Sequence, residues 1–227
     1  ELLISTDKGD SWEAHENDLP AEAEITMLAG TLLGTSDGLY AGNADGSRWS
    51  HVLEGTVFSL TLDPNGNAYA GVDGSVVVQT AAGWAELPAP PIHDVRQVIA
   101  WGDDVLVAGR LSAMLKYHAG EWQPLSGVPL PLSLVLRQKD LLYASGIDGL
   151  FVSSDQGATW IKLWAEGYLS HLAFQPNGTG YGSRADGSQL VRTPDAGVSW
   201  QTTPSPFGVL PVVALAATAD MIFAGVF

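Results

Sequence analysis

Short apolar runs separated by clusters of turn-forming residues follow one another along the whole chain. Between positions 132 and 163 four of them stand in sequence: Leu132 to Arg137, Leu141 to Ser145, Leu150 to Ser153 and Trp160 to Leu163. Runs of this length, bounded by Gly, Asn, Asp and Pro, predict β-strands. The order recurs elsewhere: a run A, a Gly- or Asn-containing turn, a run B ending near Ala-Gly, a tight turn, a run C, another turn, and a run D that opens at a tryptophan. Trp12, Trp49, Trp84, Trp122, Trp160 and Trp200 mark that opening at intervals of 35 to 40 residues. Joining the last residue to the first gives an interval of 39, so the period survives closure of the chain on itself. A repeat of this length belongs to a solenoid or a propeller, and one that closes points to a ring.

The turns repeat with the strands. Asp37-Gly38, Asp73-Gly74, Asp148-Gly149 and Asp186-Gly187 occupy the B–C position of four units. Asp-Gly between apolar runs predicts a type I′ hairpin, with positive φ at both central residues. A ring of ligating aspartates is the alternative reading, but turn chemistry already accounts for all four. Asp63-Pro-Asn-Gly and Gln175-Pro-Asn-Gly are one A–B device used twice. The first resembles the opening of a calcium loop, yet Gly74 stands where the bidentate acid of such a loop belongs. The residues Met221 to Phe227 read as a strand B, and Leu2 to Ser5 as a strand C. The expected fold is therefore an all-β, six-bladed β-propeller with four antiparallel strands per blade, a single domain over 1–227. One blade is expected to be shared between residues 1–20 and 210–227, which would remove free sheet edges.

Three C–D turns share one spelling: Ser5-Thr-Asp7-Lys-Gly9-Asp-Ser-Trp12, Ser153-Ser-Asp155-Gln-Gly157-Ala-Thr-Trp160 and Thr193-Pro-Asp195-Ala-Gly197-Val-Ser-Trp200. Here the chain resembles the Asp-box, or BNR, repeat of sialidase-like, sortilin-type and photosystem-assembly-factor-like propellers. The other units keep the Trp and lose the box, as in Asn43 to Trp49, Gln79 to Trp84 and Lys116 to Trp122. Physically the motif is a self-bonded turn. The Asp accepts local backbone N–H groups, Gly supplies positive φ, the hydroxyl adds a bond, and Trp offers a broad surface at the head of strand D. The resemblance implies that these residues are structural and lie away from the ligand face.

Composition narrows the chemistry. Ten basic residues against 25 acidic ones give a formal charge of −15, which disfavours nucleic acid and anionic membrane surfaces. The chain has no cysteine, so disulfides and thiolate metal sites are excluded. No apolar run is long enough to span a membrane. Glu1-Leu-Leu-Ile-Ser shows no basic region and apolar core, and a mature or trimmed chain is the expectation. The five histidines show no ligand spacing, and the inner strands are mostly apolar, so neither a metal, a cofactor nor a catalytic residue is expected. The three-Arg and Tyr–Glu machinery that a sialidase resemblance would imply is not visible.

What remains is a binding surface, expected on the D–A linkers and B–C turns. Those linkers are Pro-rich at 88–91, 124–131 and 203–207. Trp164, Tyr168, Phe207, His93 and Arg110 are its candidate residues, Trp164 because the repeat does not require it. The expectation is a non-enzymatic binding or scaffolding propeller, a subunit or assembly factor of an exported or membrane-associated complex. Its ligand is expected to be a protein partner, and its compartment extracellular or periplasmic. The alternative is a carbohydrate-active enzyme or lectin on the same fold.

Overall fold

The computed structural model describes residues 3–4, 13–14, 18–20, 22–43, 47–111, 113–128, 130–164, 167–184, 189–204, 212–217, 219 and 221–226. All its regular elements are strands. The first pair is β1 (Leu3–Ile4) with β2 (Glu13–Ala14). A first four-stranded sheet holds β3 (Ile25–Ala29), β4 (Leu32–Thr35), β5 (Gly38–Gly42) and β6 (Trp49–Glu54). The second holds β7 (Val57–Leu62), β8 (Ala68–Val72), β9 (Ser75–Thr80) and β10 (Gly83–Glu86). Next come β11 (Val95–Trp101), β12 (Asp104–Gly109), β13 (Met114–His118) and β14 (Glu121–Pro124). The fourth has β15 (Leu132–Gln138), β16 (Leu141–Gly146), β17 (Gly149–Ser153) and β18 (Ile161–Trp164). The fifth has β19 (Leu169–Phe174), β20 (Gly180–Arg184), β21 (Gln189–Thr193) and β22 (Gln201–Pro204). A last pair joins β23 (Val212–Ala217) and β24 (Ile222–Val226). Every four-stranded sheet is a meander in chain order, the form that short loops between neighbouring strands dictate. The chain forms two compact units, residues 1–107 with 117–122 and residues 108–116 with 123–227.

One packing rule recurs inside each unit. The first strand of a sheet lies against the first two strands of the sheet before it: β7 on β3 and β4, β11 on β7 and β8, β19 on β15 and β16, and β23 on β19 and β20. Core residues therefore sit between sheets. Leu32, Leu39, Val57, Leu60 and Val77 make one such cluster in the first unit. Tyr143, Leu150, Leu169, Leu172, Phe174 and Val191 make another in the second. Each fully buried Leu or Val contributes on the order of 2 kcal/mol, so sheets hold one another rather than standing alone.

Two local devices make this packing possible. The first strand carries a β-bulge at the same place in β3, β7, β15, β19 and β23. In β3, β7 and β15 the extra residue reaches the following sheet, whereas Ser170 in β19 bonds Ser183 of its own sheet. Thr26 donates its hydroxyl to Val57 O at 2.7 Å, and Ser133 donates to Leu169 O at 2.8 Å. Phe58 instead lies under the Arg96 guanidinium, 4.4 Å from the ring centroid. The second device is a small residue on the second strand, opposite the bulge. A Cβ on Gly34 would lie 2.7 Å from Val57 Cγ1, so only glycine admits that approach. At the matching place in β16, Ser145 uses its hydroxyl to accept Leu169 N at 2.8 Å.

The B–C turns depart in part from the sequence expectation. Asp73 and Gly74 have φ of 49° and 90°, as a type I′ turn requires. At Asp37-Gly38 neither residue has positive φ. There the buried Thr35 hydroxyl closes the turn, accepting Asp37 N and Gly38 N and donating to Gly38 O. At Asp148-Gly149 only the glycine is left-handed, at 123°. Asp186-Gly187 lies outside the described residues. Trp164, expected on the linker face, ends β18, and Trp101 ends β11 and is buried.

Candidate functional site

Two of the three repeated boxes are described, and they are the same turn. Ser153 donates its hydroxyl to Asp155 Oδ1 at 2.8 Å and accepts Gly157 N at 2.7 Å. Asp155 Oδ1 also accepts Thr159 N at 2.8 Å, and Oδ2 accepts the Thr159 hydroxyl at 2.6 Å. The Trp160 indole N–H donates to Gly157 O at 3.0 Å. In the other copy Thr193, Asp195, Gly197, Ser199 and Trp200 repeat the set within 0.1 Å for each bond. Left-handed backbone at Gln156 and Gly157, and at Ala196 and Gly197, aims those N–H groups inward. The Thr159 hydroxyl and N–H, with the Ser153 hydroxyl, hold the Asp155 carboxyl down at about 2. The Ser199 N–H and hydroxyl, with the Thr193 hydroxyl, lower that of Asp195. Both carboxylates are exposed yet spent on their own turn. Ser5, Asp7, Gly9 and Trp12 lie outside the described residues.

Asp63 follows the same logic in its A–B turn. Burial alone would raise its pKa, but the Asn67 side chain and the Asn67 and Asn65 backbone N–H groups hold it below the usual value. These donors fill the carboxylate where a calcium ion would need it. Among the described residues no group of three or more metal-ligating side chains converges.

The turns and linkers of the second unit build a different kind of place. Arg110 and Leu111 follow β12, Pro131 precedes β15 and Leu132 and Ser133 open it, Ile147 follows β16, and Tyr168 precedes β19. Together they line an open pocket of about 170 Å³. Leu111 is 72% exposed, Ile147 63% and Tyr168 41%. A bond from Leu132 N to Arg110 O, 2.9 Å long, ties the β12–β13 turn to the linker. The Ser133 hydroxyl is already committed to Ser145 O and Leu169 O. No acidic side chain among the described residues pairs with Arg110. The lining thus offers one guanidinium, one phenol and apolar surface.

The first unit closes the corresponding turns with polar bonds instead. Asp73 accepts Thr56 N at 3.0 Å, the Thr56 hydroxyl donates to Ser36 O, and Ser36 accepts Glu24 N. His93 is exposed ahead of β11 in that unit.

Of the residues singled out in the sequence, the pocket unites Arg110 and Tyr168. Trp164 is half-buried, pairs with Leu150 across β17 and β18, and packs on the cluster around Tyr143 and Leu169. Phe207 lies outside the described residues. Pro131 closes one of the linkers expected on the binding surface, while Leu111, Leu132, Ser133 and Ile147 were not among its candidates. The available signal was Leu111 and Ile147, large apolar residues at turn positions where polar ones are the rule.

No protein-family model and no curated protein matches the sequence. Solved structures do. The extracellular domain of BT4673 from B. thetaiotaomicron superimposes with a TM-score of 0.72 at 16% identity over 93% of this chain, which spans 32% of that one. Virginiamycin B lyase from Staphylococcus aureus, with quinupristin, gives 0.71 at 11% identity, covering 92% of this chain and 78% of the other. YCF48 bound to D1 peptide gives 0.59 at 16% identity, covering 76% and 62%. All three are β-propellers, and likeness at such identities shows that fold for this chain and nothing finer. The chain thus spans about a third of the length of the BT4673 domain.

Proposed function

We propose that the chain is a non-enzymatic binding propeller of the Asp-box type, with six blades, that docks a protein partner outside the cytoplasm. The observation that carries the binding reading is the pocket of Arg110, Leu111, Ile147 and Tyr168. Three large side chains exposed side by side around a cation with no acidic partner among the described residues lower the free energy of a free molecule little, whereas covering them on a partner removes apolar area from water. The boxes support the same reading by exclusion: their carboxylates are bonded within their own turns, so they serve stability. Five four-stranded sheets, with two pairs of strands that supply four more, support six blades. The neighbours leave room for this role. One is bound to a peptide and another is an extracellular domain, while the lyase is an enzyme. We assign Arg110 and Tyr168 to the docking surface and Trp164 to the core beneath the fourth sheet.

The test places a photo-crosslinking residue at position 111 and recovers its adducts from the native source. One partner protein should be captured, and Ile147→Asp should cut its recovery at least tenfold while the melting temperature stays put. Recovery indifferent to Ile147→Asp in a folded variant would sink the assignment of function to this face.

A further inference from the structure

We propose that the pocket takes the last residue of a partner polypeptide, an apolar one, with its free carboxylate held by Arg110; this rests on the docking reading above. Size is the first argument. A pocket of about 170 Å³ falls below the roughly 300–1,000 Å³ of sites that enclose a whole small ligand. It has room for about one residue of something larger.

The lining then sets what that residue must carry. Among the described lining residues Arg110 carries the only charge, and it is a cation on a chain whose formal charge is −15. Its guanidinium presents the planar fork that matches a carboxylate with two parallel bonds. Around it Leu111, Pro131, Leu132 and Ile147 are apolar. The Ser133 hydroxyl is spent on Ser145 O and Leu169 O, which leaves the Tyr168 phenol as the second donor. Carboxylate and apolar group must therefore arrive together within the space of one residue. An internal Asp or Glu brings the carboxylate without the apolar group and needs room for chain on both sides. A C-terminal Leu, Ile, Val or Phe carries both on one residue and leaves in a single direction. The exposed flanks of Leu111 and Ile147 continue the apolar surface for the residues before it.

Fluorescein-labelled tetrapeptides ending in Leu, Ile, Val or Phe test this by polarisation against the whole chain. Each is measured as the free acid and as the amide, beside a peptide with an internal Asp and an amidated end. At least one free acid should bind ten or more times tighter than its amide and than the internal-Asp peptide. Arg110→Gln should erase that preference, and Ile147→Ser should weaken the acid while the melting temperature of both variants holds. Equal affinity for acid and amide, equal affinity for the internal-Asp peptide, or no binding by any peptide at millimolar concentration would overturn the proposal. If crosslinking through position 111 still depends on Ile147 in that event, the docking surface stands and only its ligand has been misread.

Discussion

Two builds of C–D turn can be compared among the described residues. At 153–160 and 193–200 eight residues close on themselves, with the Asp carboxylate, the hydroxyls and the indole N–H all bonded inside the turn. At 80–83 and 118–121 the strands join through a short hairpin. Thr80 donates its hydroxyl to Gly83 O and accepts Ala82 N. Ala119 and Gly120 turn with φ of 51° and 94°. The tryptophan that follows the second hairpin has no turn carbonyl to bond. Trp122 sends its indole N–H to Pro88 O, 2.6 Å away in the linker after β10, and rests its ring on Tyr117 at 5.0 Å. The longer turn bonds its own tryptophan, whereas Trp122 after the 118–121 hairpin takes its partner from the linker after β10.

Glycine substitutions should separate the two builds most. A Cβ at Gly157 meets Leu125 Cδ1 at 2.9 Å on top of a φ of 86°, whereas at Gly120 it meets open space. Gly157→Ala should cost about 3 kcal/mol, the sum of left-handed strain and overpacking, and Gly120→Ala about 1 kcal/mol. Equal losses in denaturant unfolding would mean that the box is no more tightly packed than the hairpin.

The hydroxyls come next in size. Ser153 is buried and is the partner of Gly157 N, so Ser153→Ala strands a buried donor and should cost about 2 kcal/mol. Thr80 makes its bonds in the open, and Thr80→Ala should cost about 0.5 kcal/mol or less. A loss at Thr80 as large as that at Ser153 would refute the contrast.

Acid gives the smallest and most local effect. The Asp155 carboxyl titrates at about 2 in the folded chain, below its ordinary 3.8. A depressed pKa stabilises the folded state in full above the ordinary value, and that contribution is lost as pH falls through about 2. Amide exchange in 153–160 should therefore accelerate, after correction for intrinsic rates, between pH 4 and pH 2, while the 80–83 turn, which has no carboxylate, stays level. An Asp155 carboxyl resonance with its midpoint near 3.8 would contradict the bonding described for this turn.

Much of this could be read from the residues, and the parts that could not share a cause. Leu132 to Arg137, Leu141 to Ser145 and Leu150 to Ser153 fall within one residue of β15, β16 and β17. Strand length and turn chemistry are local, and local signals are what a sequence carries. The two described boxes were legible for the same reason, since every partner lies within eight residues. Asp37-Gly38 was misread as a type I′ turn because Thr35, two positions away, competes for the same N–H groups. The pocket was half legible. Arg110 and Tyr168 were picked out, but Leu111 and Ile147 meet them only once separate turns have been folded side by side. Trp164 looked spare because its packing partners, Leu150 and the Tyr143 cluster, are not written in its own stretch of sequence.

The bulges at Thr26 and Ser133 also have a mechanical meaning. Thr26 and Ser133 reach from the bulge to a backbone carbonyl of the next sheet, so those two pairs of neighbouring sheets interlock like the teeth of a ratchet. Sliding one sheet over its neighbour would have to break that link and the small-residue seat beside it together. Pulled from its ends in an optical trap, such a molecule should yield sheet by sheet, each step releasing one meander's worth of slack. Replacing Ser133 with Ala should lower the force of one step and leave the others where they were.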